Sequence, residues 1–318
     1  MAKIRVESRR ICVVFVLTTL LAGCSTSDET DTKGGQNGDS RKKITVICTT
    51  TMIADLAQNI AGDLADVRGM MKAGEDPHVY KIKAQDADKL SAADVVLANG
   101  FHLEATLGTV IKNNAEGEIV QLAELAVKEP LRSAEEAGGG DLPDPHCWMD
   151  VRHFIGYVAH ARDALAKADP SNADKYRDNA DKYISELKQL DAWIKEEFAK
   201  IPRNNRVMIT SHDAFQYLAA AYEIDVHAMI GISTEQRVLA QYVEKLETLI
   251  EERGIRAMFF ETSVSETLNN LVRKSAEEKG VEIGGTLYSD SLDEQGRPAG
   301  TYIGMMRHNV SIIVAALR

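Results

Sequence analysis

The chain has 318 residues, a formal net charge of −11 and an apolar fraction of 44%. That length is more than one hydrophobic core ordinarily serves and points to two lobes. The negative balance argues against nucleic acid and against an anionic membrane surface as ligand, and four cysteines do not make a disulfide framework.

The start of the chain reads as an export signal. Lys3, Arg5, Arg9 and Arg10 form a basic stretch, and Ile11 to Leu21 is an uncharged, mainly apolar run. It is shorter than the about 20 residues of a spanning helix and fits a signal-peptide core. Leu21-Ala22-Gly23-Cys24 then resembles the bacterial lipobox, in which cleavage precedes a cysteine that takes lipid. An ordinary cleaved signal with an incidental cysteine is the alternative. Residues 1–23 are therefore expected as signal and 24–43 as a flexible tether, since residues 25–43 offer nothing apolar to bury. Of the later cysteines, Cys48 and Cys147, buried free thiols are expected ahead of a bond between them.

The body alternates strands and helices. Ile44–Cys48 reads as a buried strand, followed by hydroxyls at Thr49–Thr51 and a helix over Met52–Ile60. A strand at Val67–Met71, a helix at Pro77–Leu90 and a strand at Asp94–Ala98 follow. Next come a helix at Glu104–Asn113 and a strand at Ile119–Leu122. Residues 128–143 read as a loop, and Pro145–Lys167 as a helix stopped by Asp169-Pro170. Ser171–Ile201 carries the longest helical signal, with Tyr176, Ala180, Tyr183, Leu187, Leu190, Ile194 and Phe198 at steps of three and four. It predicts a strut of about 45 Å.

From Arg206 the pattern of apolar strand, hydroxyl pair and helix restarts. Strands are expected at Val226–Met229, Ala257–Glu261 and Val281–Leu287, and helices at Thr234–Arg253, Ser263–Lys279 and Gly300–Leu317. The fold class is therefore α/β, with two pseudo-symmetric lobes of mainly parallel sheet flanked by helices. The lobes are expected at 44–170 and 202–318, joined by a linking helix at 171–201.

Asp-Pro-His occurs twice, at Asp76-Pro77-His78 and Asp144-Pro145-His146. Each is read as a helix start, with Pro at the first helical position and Asp as cap. The helix dipole would then keep each ring neutral. His212 stands in Thr-Ser-His-Asp after an apolar strand, and Asp290 in Leu-Tyr-Ser-Asp after another. Three imidazoles and a carboxylate beyond strand ends suit a divalent transition metal in a cleft. Two of them precede the long helix and two follow it. His153 and His160 follow His146 at steps of seven on one helix face, and two turns, about 11 Å, put His153 too far away to share an ion bound by His146. His102, His227 and His308 read as structural or surface residues, His102 being notable for its place at a strand end. Glu261 is a candidate acceptor behind a ligand, and Cys147 points away from its neighbour His146.

Several segments together resemble the zinc/manganese solute-binding lipoproteins of bacterial ABC importers, the TroA-like type. They are Thr50–Asp55, both Asp-Pro-His segments, Asn99-Gly100 with Glu104, Trp148–Asp150, Ser211–Phe215, Gly231–Glu235, Ser289-Asp290 and Thr301-Tyr302. The resemblance covers essentially all of the mature chain. It implies metal ligands at His78, His146, His212 and Asp290, and one Mn2+ or Zn2+ ion as cargo, with Fe2+ a third option. It further implies an ABC permease and ATPase as partners, a monomer, and a protein outside the cytoplasm held to a membrane through lipid on Cys24. His212 resembles the three-histidine, one-aspartate branch, while loop 128–143 lacks the histidines of dedicated zinc relatives. A metal-binding surface adhesin is the first alternative. A zinc metallohydrolase is the second, against which stands the lack of His-Glu-x-x-His, Gly-x-Ser-x-Gly or a phosphate loop. No enzyme activity is expected.

Overall fold

A computed structural model describes residues 42–132 and 141–318. The export signal, Cys24, nearly all of the tether and the middle of loop 128–143 lie outside the described residues.

The first lobe contains β1 (Thr45–Cys48), α1 (Thr51–Ala61), β2 (Asp66–Gly69), α2 (Ala84–Ser91), β3 (Val95–Ala98), α3 (Ala105–Asn114), β4 (Glu118–Gln121) and α4 (Leu122–Ala126). Then come α5 (Val151–Ala168) and the long α6 (Ala173–Phe198). The second lobe contains β5 (Val207–Thr210), α7 (Gln216–Tyr222), β6 (Asp225–Ala228), α8 (Ala240–Arg253), β7 (Ala257–Glu261), α9 (Glu266–Lys279), β8 (Glu282–Leu287) and α10 (Tyr302–Leu317). Each lobe has a four-stranded sheet of parallel pairs, ordered β2-β1-β3-β4 and β6-β5-β7-β8. The identical order is the internal duplication that the restart at Arg206 suggests.

The central strands β1, β3 and β5 are buried along their whole length, as apolar strands covered on both faces must be. Their alternate residues enter different cores. Val46, Cys48, Val95 and Leu97 join a cluster that continues through α5, α6 and α10 into the second lobe. Ile47 and Val96 face outward onto α2 and α3 residues such as Leu90 and Leu107. In the second lobe Ile209 and Met258 face outward in the same way, onto Leu246 and Val272.

The long helix is α6, 26 residues or about 39 Å, a little shorter than expected at both ends. It buries Tyr176, Ala180, Tyr183, Leu187, Leu190, Ile194 and Phe198 and holds no internal Gly or Pro. Its partners are α1 and α5 of the first lobe's run and α7 and α10 of the second lobe.

Three helix starts fall six or more residues later than expected. Asp76-Pro77-His78 opens no helix, because α2 begins only at Ala84. Asp144-Pro145-His146 leads into a single 3-10 turn at Cys147–Met149, and α5 starts at Val151 with Asp150 as its cap. In both segments the Asp side chain accepts the backbone N–H of the histidine two residues on, at 2.9 Å. That is an Asx turn, which competes with helix for the same donors. Residues 234–239 are also outside α8, whose first residue is Ala240. The short α4, directly after β4, was not anticipated.

Candidate metal centre

Four chain segments bring four donors to one point. His212 is the second residue after β5, and Asp290 is the third after β8. His146 sits where the loop turns into the 3-10 segment, and His78 lies in the loop between β2 and α2. All four are buried: His78 is 6% exposed, Asp290 1%, and the other two 0%. One donor atom from each lies within 4.8 Å of every other. The expectation that these four converge is met by the geometry.

The individual separations are informative. His78 Nε2 is 3.3 Å from His146 Nε2. Asp290 Oδ1 is 3.4 Å from His146 Nε2, and Asp290 Oδ2 is 3.1 Å from His212 Nε2 and 4.0 Å from His78 Nε2. Four ligands about 2.1 Å from a tetrahedral ion stand about 3.4 Å apart. Three of these spacings, 3.1 to 3.4 Å, are close to such an edge, and the 4.0 Å from Asp290 to His78 is longer. Both carboxylate oxygens of Asp290 and Nε2 of His212 are buried without a hydrogen-bond partner. Buried polar atoms are ordinarily paired, so three orphans aimed at one point fit a cation there.

Two of the rings are braced from behind. Asp144 Oδ1 lies 2.8 Å from His146 Nδ1 and also accepts the His146 backbone N–H. Glu261, the last residue of β7, grips His212 with both oxygens, Oε1 on the backbone N–H at 2.8 Å and Oε2 near Nδ1 at 2.6 Å. A carboxylate at Nδ1 keeps the proton on that atom and turns Nε2 to the cleft. β5 and β7 are neighbours in the sheet, so Glu261 reaches His212 across adjacent strand ends. Its role as an acceptor behind a ligand was anticipated. That of Asp144 was not, because the residue was read as a helix cap. The signal was there, since an Asp two residues before a His is placed to form an Asx turn.

The expected neutral ring holds for His78, through burial and not a helix dipole, and fails for His146. Burial lowers His78 to about 3, although the Asp290 charge opposes this. Burial acts the same way on His146, but Asp144 and Asp290 outweigh it and raise that ring to about 9. His212 is likewise raised well above its ordinary value, with Glu261 and Asp290 overcoming burial. Asp290 is held well below the carboxylate range, because His212 and His146 outweigh the effect of burial.

The other candidates stand apart. His153 is half-buried near Asp150 at 4.0 Å, edge-on to Tyr217. His160 follows on the same helix. His227 lies 3.1 Å from Asp225, and His308 is in hydrogen-bonding distance of the Thr286 carbonyl. His102 is exposed at the cleft mouth, in a left-handed backbone conformation with φ of 64°. Cys48 and Cys147 are both free and buried, and burial pushes the Cys147 thiol up to about 12.

Fold and donor set together are those of a two-lobed binding protein with a closed pocket suited to a divalent cation. The chain belongs to the family described as ZnuA, the zinc-uptake complex component A, periplasmic, which matches residues 46–316. It is 40% identical over 310 residues to the manganese-binding lipoprotein MntA of Bacillus subtilis (strain 168), covering 97% of this chain and 98% of that one. The zinc-binding protein TroA of Treponema pallidum (strain Nichols) is 33% identical over 311 residues, 97% of this chain and 98% of its own length. A solved structure of the periplasmic zinc-binding protein TroA from Treponema pallidum superposes with a TM-score of 0.81 at 35% identity. It covers 86% of this chain and 99% of that one. The family is one of solute-binding proteins rather than enzymes, and this chain is of that class.

Proposed function

We propose that the protein binds one divalent transition-metal ion, Mn2+ or Zn2+, outside the cytoplasm and delivers it to an ABC permease driven by its ATPase. The observation that carries this reading is the buried set His78, His146, His212 and Asp290, with the Asp290 oxygens unpartnered. Four protein donors close a coordination sphere. A catalytic metal would instead keep a position open for water, so the arrangement suits carriage. The donor set is compatible with both ions. Three imidazoles favour zinc, whereas two free oxygens on Asp290 would let a harder ion such as manganese be held bidentately. Relatives named for manganese and for zinc lie on either side of that choice.

In this reading residues 44–170 and 202–318 are the two lobes and 171–201 the linking segment. The chain acts as a monomer held to a membrane by lipid on Cys24, with 24–43 as tether. Names of relatives as lipoproteins support the anchor, and among the described residues no helix is long and apolar enough to cross a membrane. The test is purification without chelator, elemental analysis, then titration of stripped protein with Mn2+ and Zn2+. One tightly held equivalent per chain is expected. None, or two equivalent ions, would overturn the assignment.

A further inference from the structure

Besides Tyr217, which takes the Leu131 N–H and gives its hydroxyl to the Asp144 carbonyl, two groups of contacts join the lobes around the metal centre. The larger group forms a floor beneath the metal centre. There Trp148 donates its indole N–H to the Ser289 carbonyl at 3.0 Å, and Tyr302 donates its hydroxyl to the Trp148 carbonyl at 2.7 Å. The Leu292 N–H reaches Thr51 Oγ1 at 2.8 Å, and the Gly74 N–H reaches Ser291 Oγ at 2.8 Å. Phe154 stacks on Tyr302 with ring centroids 3.6 Å apart. Such a buried, many-membered interface does not open easily.

The second group has one member. Asp76 Oδ1 accepts the His78 backbone N–H at 2.9 Å, and Asp76 Oδ2 accepts the hydroxyl of Thr234 at 2.6 Å. Thr234 belongs to the loop between β6 and α8, on the opposite lobe. Among the described residues this is the only hydrogen bond between that loop and the loop carrying His78. One carboxylate therefore does two things: it sets the backbone of a ligand and clasps the far wall of the cleft. The equivalent Asp144 spends a single oxygen on both the backbone and the ring of His146 and leaves Oδ2 unpartnered. The two Asp-Pro-His copies are thus not equivalent. The ring of His146 is locked by its own Asp, whereas among the described residues no carboxylate meets Nδ1 of His78, which depends on its loop staying in place.

We propose that Asp76 and Thr234 form a cross-lobe latch that positions His78 and sets the rate at which the ion leaves. This deepens the proposed function and rests on it. Breaking the latch leaves this loop joined to the second lobe by the Gly74 N–H on Ser291 Oγ, four residues before His78, while the floor and three donors stay fixed, so the stretch around His78 loosens and His78 is the ligand that lets go first. The latch is reachable from outside. Asp76 and Thr234 line a groove of about 830 Å³ with Val79, Val238, Val264 and Leu268, so a partner can act on it without passing the ion. Both are positioning residues, as neither donates to the metal centre.

The test uses the full mature chain loaded with one Zn2+. Release is followed with an excess of fluorescent chelator, at concentrations where the rate no longer depends on the chelator. Thr234→Val and Thr234→Ala should each speed release about tenfold, the scale of one charge-assisted hydrogen bond. The metal-free variants should still melt as folded proteins, no lower than loss of one hydrogen bond allows, and one ion should still bind. Thr234→Ser, which keeps the hydroxyl, should release at the wild-type rate. Asp76→Ala should be faster than Thr234→Val, and the double variant no faster than Asp76→Ala. Wild-type release from both Thr234→Val and Thr234→Ala would overturn the latch, as would equal acceleration in Thr234→Ser. Failure of the wild-type chain to take up Zn2+ would instead overturn the underlying metal assignment.

Discussion

Replacing Glu261 by Gln tests whether the carboxylate behind His212 matters to the ion. Gln has nearly the same shape, but it cannot serve both of Glu261's hydrogen bonds. With the amide oxygen on the His212 backbone N–H, its NH2 faces Nδ1 and forces the ring proton onto Nε2, the donor atom. With the amide flipped, the NH2 meets the backbone N–H, donor against donor. Asn269 brackets the Glu261 backbone, with Oδ1 3.1 Å from its N–H and Nδ2 2.9 Å from its carbonyl, so the residue cannot shift to escape. Loss of such a support costs about 10- to 100-fold in metal affinity, or about 1.4 to 2.7 kcal/mol. Asp144→Asn should do less, because a single oxygen serves both His146 donors and the Asn carbonyl can still accept them. The assay is competition for Zn2+ against a chromophoric chelator, with melting of the metal-free forms as control. An affinity for Glu261→Gln within threefold of wild type, or Asp144→Asn weakened more than Glu261→Gln, would refute the reasoning.

Three further outcomes follow from the same geometry. Alanine at His78, His146, His212 or Asp290 should weaken binding by orders of magnitude, whereas His153→Ala and His160→Ala should leave it unchanged; titration calorimetry on each separates the two groups. Because His146 titrates at about 9 when folded against 6.5 ordinarily, an incoming ion must displace its proton. Affinity should climb from about pH 6.5 to about pH 9, and calorimetry in buffers of different ionisation enthalpy should register proton release at neutral pH. The same raised value stabilises the metal-free fold below about pH 6.5, and that contribution is lost as pH rises through about 9. His78, lowered to about 3, contributes stability above about pH 6.5 that is lost as pH falls towards 3. Finally, with no Gly or Pro inside α6 and a hydrogen-bonded floor between the lobes, metal should cause only loop shifts and a small tilt. A radius of gyration that falls by more than about 1 Å on loading, against about 19 Å for a chain of this size, would contradict that.

Much of this architecture was legible because burial leaves a periodic trace. Four-residue apolar strands and the three-and-four spacing along α6 are imposed by the core they enter, so the lobes and the strut could be read directly. The donors were legible as residue types beyond strand ends. Their surroundings were not, because a side chain such as Asp144 or Asp76 has two uses with one sequence signature. Asp before Pro-His can cap a helix or close an Asx turn. Pro77 and Pro145 also restrict the residue before them to extended backbone, which is compatible with both. What decides between these uses is tertiary. Lys83 N–H and the Tyr80 hydroxyl converge on Asp86 Oδ2 at 2.8 and 3.0 Å and start α2 at Ala84, leaving residues 77–83 free to curve around the cleft. No local pattern carries the reach from Thr234 to Asp76, 158 positions apart.

The irregular backbone at His78 and His146 also has a physical reason. A helix N-terminus would present its free N–H groups to the centre and add partial positive charge beside a cation. The Asx turns use an Asp to satisfy those donors, so each turn delivers an imidazole together with negative charge. In the second lobe Glu261 plays the same part for His212 from a neighbouring strand. In the proposed site an ion's charge would therefore be met by Asp290 directly and by Asp144 and Glu261 through the rings. Such a pocket is suited to a divalent ion and would hold protons in its place when metal is absent. Delivery therefore requires a move that breaks the donor set rather than one that merely opens a path, and the least braced of the four donors is His78.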